Sequence, residues 1–389
     1  MRPTLTLGNG IKMSKNSAKL MYISANLSAN ASGGRALSEA NLEILKACCE
    51  VDIRVFAVGR GHTQYTNITS TSNRYDTALA NFKLFSGGLH QSAFDTLIAE
   101  IANKQPSMLY LDTSLFGRLA LTVKKIFPKI KIITFFHNIE LDYKLNCYSG
   151  FKRILYAPAV LSDWINERWA VHHSDILVVM HNIDSMRLLQ IYGRKADFIH
   201  PMCLGSNTMA STITTDNIHQ LPDEYILFVG SAVPTNVKAL KFLCNHVMPH
   251  LNGQLIVVGS NFENYRQALD ANNVSIIGSV KDISPFYANA KLVVAPILSG
   301  TGMIVKVAEA LMHGKCVIGS PPTFAGYEKA VESGVCIIAN SASDYIALIK
   351  NYQSSPSMGL LAKEIFLQYF SIPAGMSRME SILGMATNQ

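Results

Sequence analysis

No stretch of the chain approaches the roughly 18 consecutive apolar residues that a membrane-crossing helix needs. The opening residues, MRPTLTLGNGIKMSKNSAKL, contain no apolar core of the kind that marks a secretory signal. The seven cysteines are odd in number and never fall in CxxC spacing, which argues against a disulfide framework or a zinc site and for reduced thiols. GxxxxGK[ST], GxGxxG, GxSxG and DxD are all missing, Glu140-Leu141-Asp142 being the nearest approach to the last. Cys48 and Cys49 fall in a helix-like stretch with no base beside them. Charge is sparse at 16% of residues, whereas 49% are hydrophobic, which excludes an intrinsically disordered chain. At 389 residues the chain exceeds what one hydrophobic core usually serves. The expectation is a soluble, cytoplasmic, two-domain protein.

The charge that is present is lopsided. Residues 1–205 hold 23 Lys and Arg against 15 Asp and Glu, a net +8, and residues 206–389 hold 11 against 12. The first half therefore faces something anionic: a phospholipid surface or an acidic acceptor, or else the excess serves solubility alone. Nothing resembling a helix-turn-helix, a zinc finger or an aromatic RNA-binding motif accompanies the excess, so no nucleic-acid partner is expected. KKIFPKIK (Lys124–Lys131) is one basic cluster. Gly150–Trp169 mixes Phe151, Leu155, Tyr156, Trp164 and Trp169 with Lys152, Arg153 and Arg168, and reads either as an amphipathic surface for lipid headgroups or as a helix with one core face.

Short aliphatic runs alternate with helix-like stretches. Strands are predicted over Leu20–Ser24, Ile53–Val58, Met108–Leu111, Lys131–Phe136, Ile176–Met180 and Asp197–Ile199, then Tyr225–Val229, Leu255–Val258, Val274–Ile277, Leu292–Ala295, Cys316–Ile318 and Val335–Ile338. Their hydrophobicity is continuous rather than alternating, the pattern of parallel strands covered on both faces. The fold class is α/β, with residues 1–18 frayed, a first βα domain over 19–205, a polar linker over 206–222, and a second βα domain over 223–370. Two such domains enclose a cleft.

Four strands of the second half end alike, in FVGS, VVGS, IIGS and VIGS, placing Gly-Ser pairs at 230–231, 259–260, 278–279 and 319–320. Ligands of open parallel sheets bind at the carboxyl ends of the strands, so these pairs read as a polar binding rim. In LVVAPILSGTGMIVKVAEALMHGKCVIGS (Leu292–Ser320) a strand runs into Ser299, Gly300, Thr301 and Gly302, followed by a helix from about Met303 to Met312. A loop opening a helix offers free N–H groups and the positive end of the helix dipole to an anion. Lys306 lies one turn in, and Glu309 follows three residues later on the same face. A pyrophosphate on the loop and Lys306, with a ribose diol on Glu309, fits these residue types.

With these segments, FVGSAVPTNVKALKFL, GSVKDISPFYANAKLVVAPI and SGTGMIVKVAEALMHGKCVIGSP, the chain resembles glycosyltransferases of the two-Rossmann-domain (GT-B) type, and within them the retaining glycosyltransferase family 4 (glycosyl transferases group 1). ASGGRALSEANLEIL, FFHNIE and SDILVVMHNID follow the family's other domain, the last with His181 where serine is more common. The resemblance implies two Rossmann-like domains facing a central cleft, with a C-terminal helix over 371–389 crossing back to the first. It implies a donor site of Gly33, Gly34, Gly230, Ser231, Ser299, Gly300, Thr301, Gly302, Met303, Lys306 and Glu309, with Val280 and Asp282 near the nucleobase. His137 would face the transferred sugar as a catalytic residue alongside Lys306 and Glu309, with Asn138 and Glu140 on the acceptor side. The family's first glutamate falls here at Thr301, and Ser231 stands where arginine is common, which shifts more of the diphosphate charge onto Lys306.

The activity implied is a hexosyltransferase using a nucleotide-diphosphate sugar, UDP preferred, without an essential metal or other cofactor. Its acceptor would be a glycan, lipid-linked at the cytoplasmic membrane face, in surface polysaccharide or glycoconjugate synthesis. The alternatives are an epimerase-like enzyme of the same fold and a catalytically weak partner subunit.

Overall fold

The apolar runs become the strands of two parallel sheets in a computed structural model that describes residues 19–28, 33–48, 52–61, 63–148, 150–205, 221–267, 269, 273–298 and 302–388. The expected frayed N-terminus, nearly all of the linker, and Ser299, Gly300 and Thr301 lie outside the described residues. The first sheet is built from β1 (Lys19–Ser24), β2 (Asp52–Gly59), β3 (Thr66–Thr69), β4 (Met108–Leu111), β5 (Lys131–Phe136), β6 (Ile176–Val179) and β7 (Phe198–Ile199), in the order β3-β2-β1-β4-β5-β6-β7. The second comprises β8 (Tyr225–Val229), β9 (Leu255–Val258), β10 (Val274–Gly278), β11 (Ala290–Ala295), β12 (Val317–Gly319) and β13 (Cys336–Ile338), in the order β10-β9-β8-β11-β12-β13.

Every predicted strand is present, shifted by at most two residues at an end, and the registered pairs are parallel. The additional strand is β3. Its sequence, TNIT, buries only Ile68, so an exposed edge strand carries no apolar run by which to recognise it.

In each sheet the strand order reverses beside the first strand of that half, between β1 and β4 and between β8 and β11. Such a switch point opens a crevice at the carboxyl ends of the strands, because the connections on its two sides leave in opposite directions. Gly230 and Ser231 follow β8, and the segment 296–304 follows β11, so both flank the second switch point. Helix Gly33–Cys48 begins beyond β1 at the first.

Two compact units result. One comprises Met1–Phe136, Ala157–Val178 and Met376–Gln389; the other, His137–Tyr156 and Val179–Gly375. Residues 137–156 and 179–205, placed with the first domain on sequence alone, thus group with the second unit, and Met376–Gln389 with the first. The C-terminal stretch forms helices Pro356–Tyr369 and Ile372–Asn388, with Pro373 in the first turn of the second, where its missing N–H costs no hydrogen bond.

In the first unit, helix Ala157–His173 turns an unusually polar face inward: Ser162, Asp163, Asn166 and Glu167 are all buried. Each is matched. Ser162 Oγ donates to the Phe85 carbonyl at 3.0 Å, Ser86 Oγ donates to Asp163, and Ser114 Oγ donates to Glu167 at 3.2 Å. Asn166 donates to the carbonyls of Leu84 (3.1 Å) and Ser162 (2.9 Å) and accepts the Arg118 N–H (3.0 Å). The helix approaches Gly117–Ile126 so closely that a Cβ on Gly117 would lie 1.7 Å from the Asn166 carbonyl oxygen, so only glycine fits there.

Lysines of the KKIFPKIK cluster are spent locally: Lys124 and Lys131 pair with Asp175 at 2.6 and 3.7 Å. Exchanging Asn166 for alanine strands the half-buried Leu84 carbonyl and Arg118 N–H, and should cost about 1–3 kcal/mol of stability. Urea unfolding measures this; an unchanged midpoint would show the network contributes no net stability.

Candidate functional site

The second switch point is built for close backbone approach. Gly230 has φ +145° and Gly259 φ +151°. A Cβ on Gly259 would sit 1.9 Å from the Gly230 carbonyl oxygen, and one on Gly230 would lie 2.7 Å from Asn236 Nδ2 and 3.1 Å from Lys306 Nζ. Both positions therefore require glycine, for space and for conformation. The serines that follow meet across the rim, Ser260 Oγ donating to Ser231 Oγ at 2.9 Å. Gly278 (φ +90°) continues the edge, where a Cβ would lie 2.9 Å from the Glu263 carboxylate, and Ser279 beyond it is exposed. The fourth pair departs from the rim. Ser320 is buried and donates to the Ile297 carbonyl, so its hydroxyl anchors the loop after β11 and faces no ligand.

Helix Val305–Met312 starts at this rim with no side-chain cap for the N–H groups of Val305 and Lys306, while the Val307 N–H donates to the Ile304 carbonyl at 3.0 Å. Tyr327 fastens the helix start by donating to the Ile304 carbonyl at 2.9 Å. Lys306, the second residue of the helix, is 7% exposed. Its ammonium donates to Asn236 Oδ1 at 3.0 Å and lies 4.6 Å from the centre of the Phe228 ring, within cation–π range. Burial drives the Lys306 ammonium down to about 7, with nearby Glu309 pulling it back up.

Glu309 is not joined to Lys306. Its Oε2 accepts from the Tyr287 hydroxyl at 3.1 Å, and Tyr287 is itself buried and stacked on His313, with centroids 4.7 Å apart. Burial raises the Glu309 carboxyl, against the opposing pull of that hydrogen bond and of Lys306. The expected constellation is thus two adjacent poles, one cationic on Asn236 and one anionic on Tyr287. Asn236 and Tyr287 escaped the sequence reading. Asn236 had a weak signal, a polar residue in the first turn of the helix after a Gly-Ser strand end, whereas Tyr287 looks like any core tyrosine.

Gly302 (φ +72°) packs against the chain after β5: a Cβ there would fall 2.6 Å from both the His137 carbonyl oxygen and Asn138 Oδ1. His137 and Glu140 are buried, Glu140 opening helix Glu140–Cys147, where its charge suits the dipole. The structure therefore brings His137 and Asn138 to Gly302, and Gly230 to Lys306. The Met303 side chain is buried and turned away, with Met202 N–H donating to its sulfur at 3.3 Å. Val280 and Asp282 follow β10, two strands from β8, and Asp282 is occupied in accepting from Ser284 N (2.9 Å) and Oγ (2.7 Å). Gly33 and Gly34 open the helix after β1 in the other unit, where a Cβ on Gly34 would touch Asn26 Oδ1 at 3.4 Å.

Chemically, the rim offers an anion a buried cation, uncapped helix N–H groups and two serine hydroxyls, with a carboxylate one helical turn away. Below pH 7 Lys306 is charged in both folded and unfolded chains, so the folded state bears the full desolvation cost. Between pH 7 and the ordinary lysine range the folded group is neutral while the unfolded one stays charged, and the cost fades. Replacing Lys306 with methionine should therefore stabilise the protein by about 2–4 kcal/mol at pH 6, and by less at pH 9.5. Urea unfolding at both pH values checks this; an equal change at both, or a loss at pH 6, would refute the burial cost.

Residues 223–353 match the family model described as glycosyl transferases group 1. No curated protein matches the chain by sequence. Among solved structures the chain is similar to sucrose-phosphate synthase from Thermosynechococcus elongatus, at 15% identity and a TM-score of 0.72 over 95% of this chain and 99% of that one. It is similar to Anabaena HepE, solved in complex with UDP, at 13% identity and a TM-score of 0.68 over 94% and 100%. The lipopolysaccharide outer core galactosyltransferase WaaB matches at 13% identity and a TM-score of 0.62 over 94% and 99%. Residues 223–353 thus resemble the glycosyl transferases group 1 family, and the chain has the two-domain α/β fold of GT-B glycosyltransferases.

Proposed function

We propose that this protein transfers a sugar, with retention of anomeric configuration, from a uridine-diphosphate sugar to a lipid-linked glycan in surface glycoconjugate synthesis. The observation that carries this reading is the rim at the β8/β11 switch point, where Gly230 and Gly259 leave no room for a side chain beside the buried Lys306 ammonium. The diphosphate lies on the helix start and Lys306, and Glu309 takes the ribose diol on the oxygen that Tyr287 leaves open. The base extends toward Val280. HepE in complex with UDP and with UDP-glucose supports uridine as the nucleoside. His137, at the end of β5 near Gly302, is assigned to the sugar.

In the reaction the anomeric carbon's bond to the diphosphate oxygen breaks, and its electron pair leaves with UDP. The acceptor hydroxyl oxygen bonds to that carbon from the same face, and the hydroxyl proton passes to the departing phosphate oxygen. Lys306 and the helix N–H groups meet the growing negative charge, so the charge is held by groups already in place.

For the acceptor, support comes from helix Phe151–Leu155. Phe151, Ile154 and Leu155 are 76%, 72% and 62% exposed, beside exposed Lys152 and Arg153, a composition suited to an anionic lipid surface. WaaB, whose name places it in lipopolysaccharide, fits the same direction.

A thermal-shift titration with UDP, GDP, ADP and CMP should show a selective UDP shift of a few degrees, the same with and without magnesium. Exchanging Glu309 for alanine should lower donor kcat/KM by about 10- to 150-fold, as for losing hydrogen bonds to a charged group. The product's anomeric proton coupling should match the donor's configuration. Absence of a UDP shift, or full activity without Glu309, would refute the site assignment.

A further inference from the structure

The two carboxylate oxygens of Glu309 are unlike. Oε2 accepts from the Tyr287 hydroxyl at 3.1 Å, whereas Oε1 takes no hydrogen bond among the described residues and is open to solvent on a half-buried side chain.

Tyr287 is held far more tightly. Its side chain is fully buried, on the six-residue helix Ser284–Asn289, which is too short to keep its shape by its own hydrogen bonds. Three side chains fasten that helix. Asp282 accepts from Ser284 at its start, the Tyr225 hydroxyl donates to the Phe286 carbonyl at 2.8 Å, and the Lys315 ammonium donates to the carbonyls of Ala288 and Ala290, each at 2.8 Å. His313, which ends the helix that carries Glu309, lies flat on the Tyr287 ring, the planes 6° apart. Phenylalanine would fill the same buried place, so packing explains the ring but not the hydroxyl. The hydroxyl is explained by its acceptor, Glu309.

Few groups face this carboxylate. Lys306 on its own helix and Tyr327 bear on it electrostatically, and Tyr287 hydrogen-bonds it. His313 responds instead to Asp282, Lys315 and Lys363. Burial raises the Glu309 carboxyl and the Tyr287 hydrogen bond lowers it, so that bond also keeps the group ionised to lower pH.

We propose that Tyr287 is a positioning residue for the donor's ribose: its hydroxyl occupies Glu309 Oε2 and commits Oε1 to the 2′-hydroxyl, so the site selects a ribose over a 2′-deoxyribose. This rests on the reading of Glu309 as the carboxylate that holds the ribose. Tyr287 acts through Glu309, and His313 acts through Tyr287. An acceptor fixed in advance loses little rotamer freedom when the nucleotide arrives.

Calorimetric titration of the full-length protein with UDP and with 2′-deoxy-UDP, between about pH 5 and 8.5, tests this. The diphosphate and Lys306 bear on both ligands alike, so the ratio of the two affinities isolates Glu309. In the wild type that ratio should be about tenfold or more at neutral pH and should collapse as the pH falls through the carboxyl. Tyr287→Phe keeps the stacked ring and removes the donor, so the midpoint of the collapse should move up by about one pH unit or more, with a smaller ratio at neutral pH. 3-Fluorotyrosine in place of Tyr287 is a stronger donor and should move the midpoint down, which keeps the test alive if the phenylalanine variant does not fold. An unchanged midpoint and ratio in either variant would overturn the proposal and leave the donor site standing. A wild-type ratio of one, or a ratio that persists in Glu309→Ala, would refute the ribose assignment of Glu309 and this inference with it.

Discussion

A lysine ammonium held almost out of water is the constraint around which the second unit is arranged. Removing Lys306 from solvent costs several kcal/mol in an apolar surrounding, and the chain offsets this with one amide oxygen, one aromatic face and a carboxylate kept at a distance. Asn236 reaches the ammonium because its helix begins directly after the Gly230-Ser231 turn, and that turn is possible because glycine alone fits at 230 and 259. The cost remains partly unmet, as the lowered Lys306 shows. A group that is under-solvated in the free protein gains more from an arriving anion than a surface lysine would, so instability and function share one residue.

The same logic of unmet groups organises the rest of the unit. The start of Val305–Met312 has no side-chain cap for the N–H groups of Val305 and Lys306. By contrast, Ser162, Asn166 and Glu167 on the equally polar inner face of Ala157–His173 each hold a hydrogen-bond partner.

The sheets were legible in the chain because continuous Ile-Val-Leu runs identify strands buried on both faces, as in Ile176–Val179 and Leu255–Val258. Thr66–Thr69 was not, since an edge strand needs no such run. The Gly-Ser pairs at 230 and 259 do meet at one edge of the sheet, whereas Ser320 does not join them, because a serine after a strand looks the same whether it lines a crevice or anchors a loop. Lys306 and Glu309 were rightly placed on one helix, yet spacing suggested a pair, whereas tertiary partners separate them. Those partners, Asn236 and Tyr287, come from distant segments that no local pattern links. His181, marked in the sequence only as standing where serine is more common, caps helix Asn182–Tyr192 as that serine would.

The account's central claim is that the buried ammonium of Lys306 is the donor site's principal cation. Calorimetric titration with UDP at pH 8, in two buffers of different ionisation heat, tests it most directly. With Lys306 near 7 in the free protein, a diphosphate should draw in about one proton on binding, and the uptake should vanish in Lys306→Met. UDP binding without proton uptake, or uptake that persists in the methionine variant, would contradict the claim.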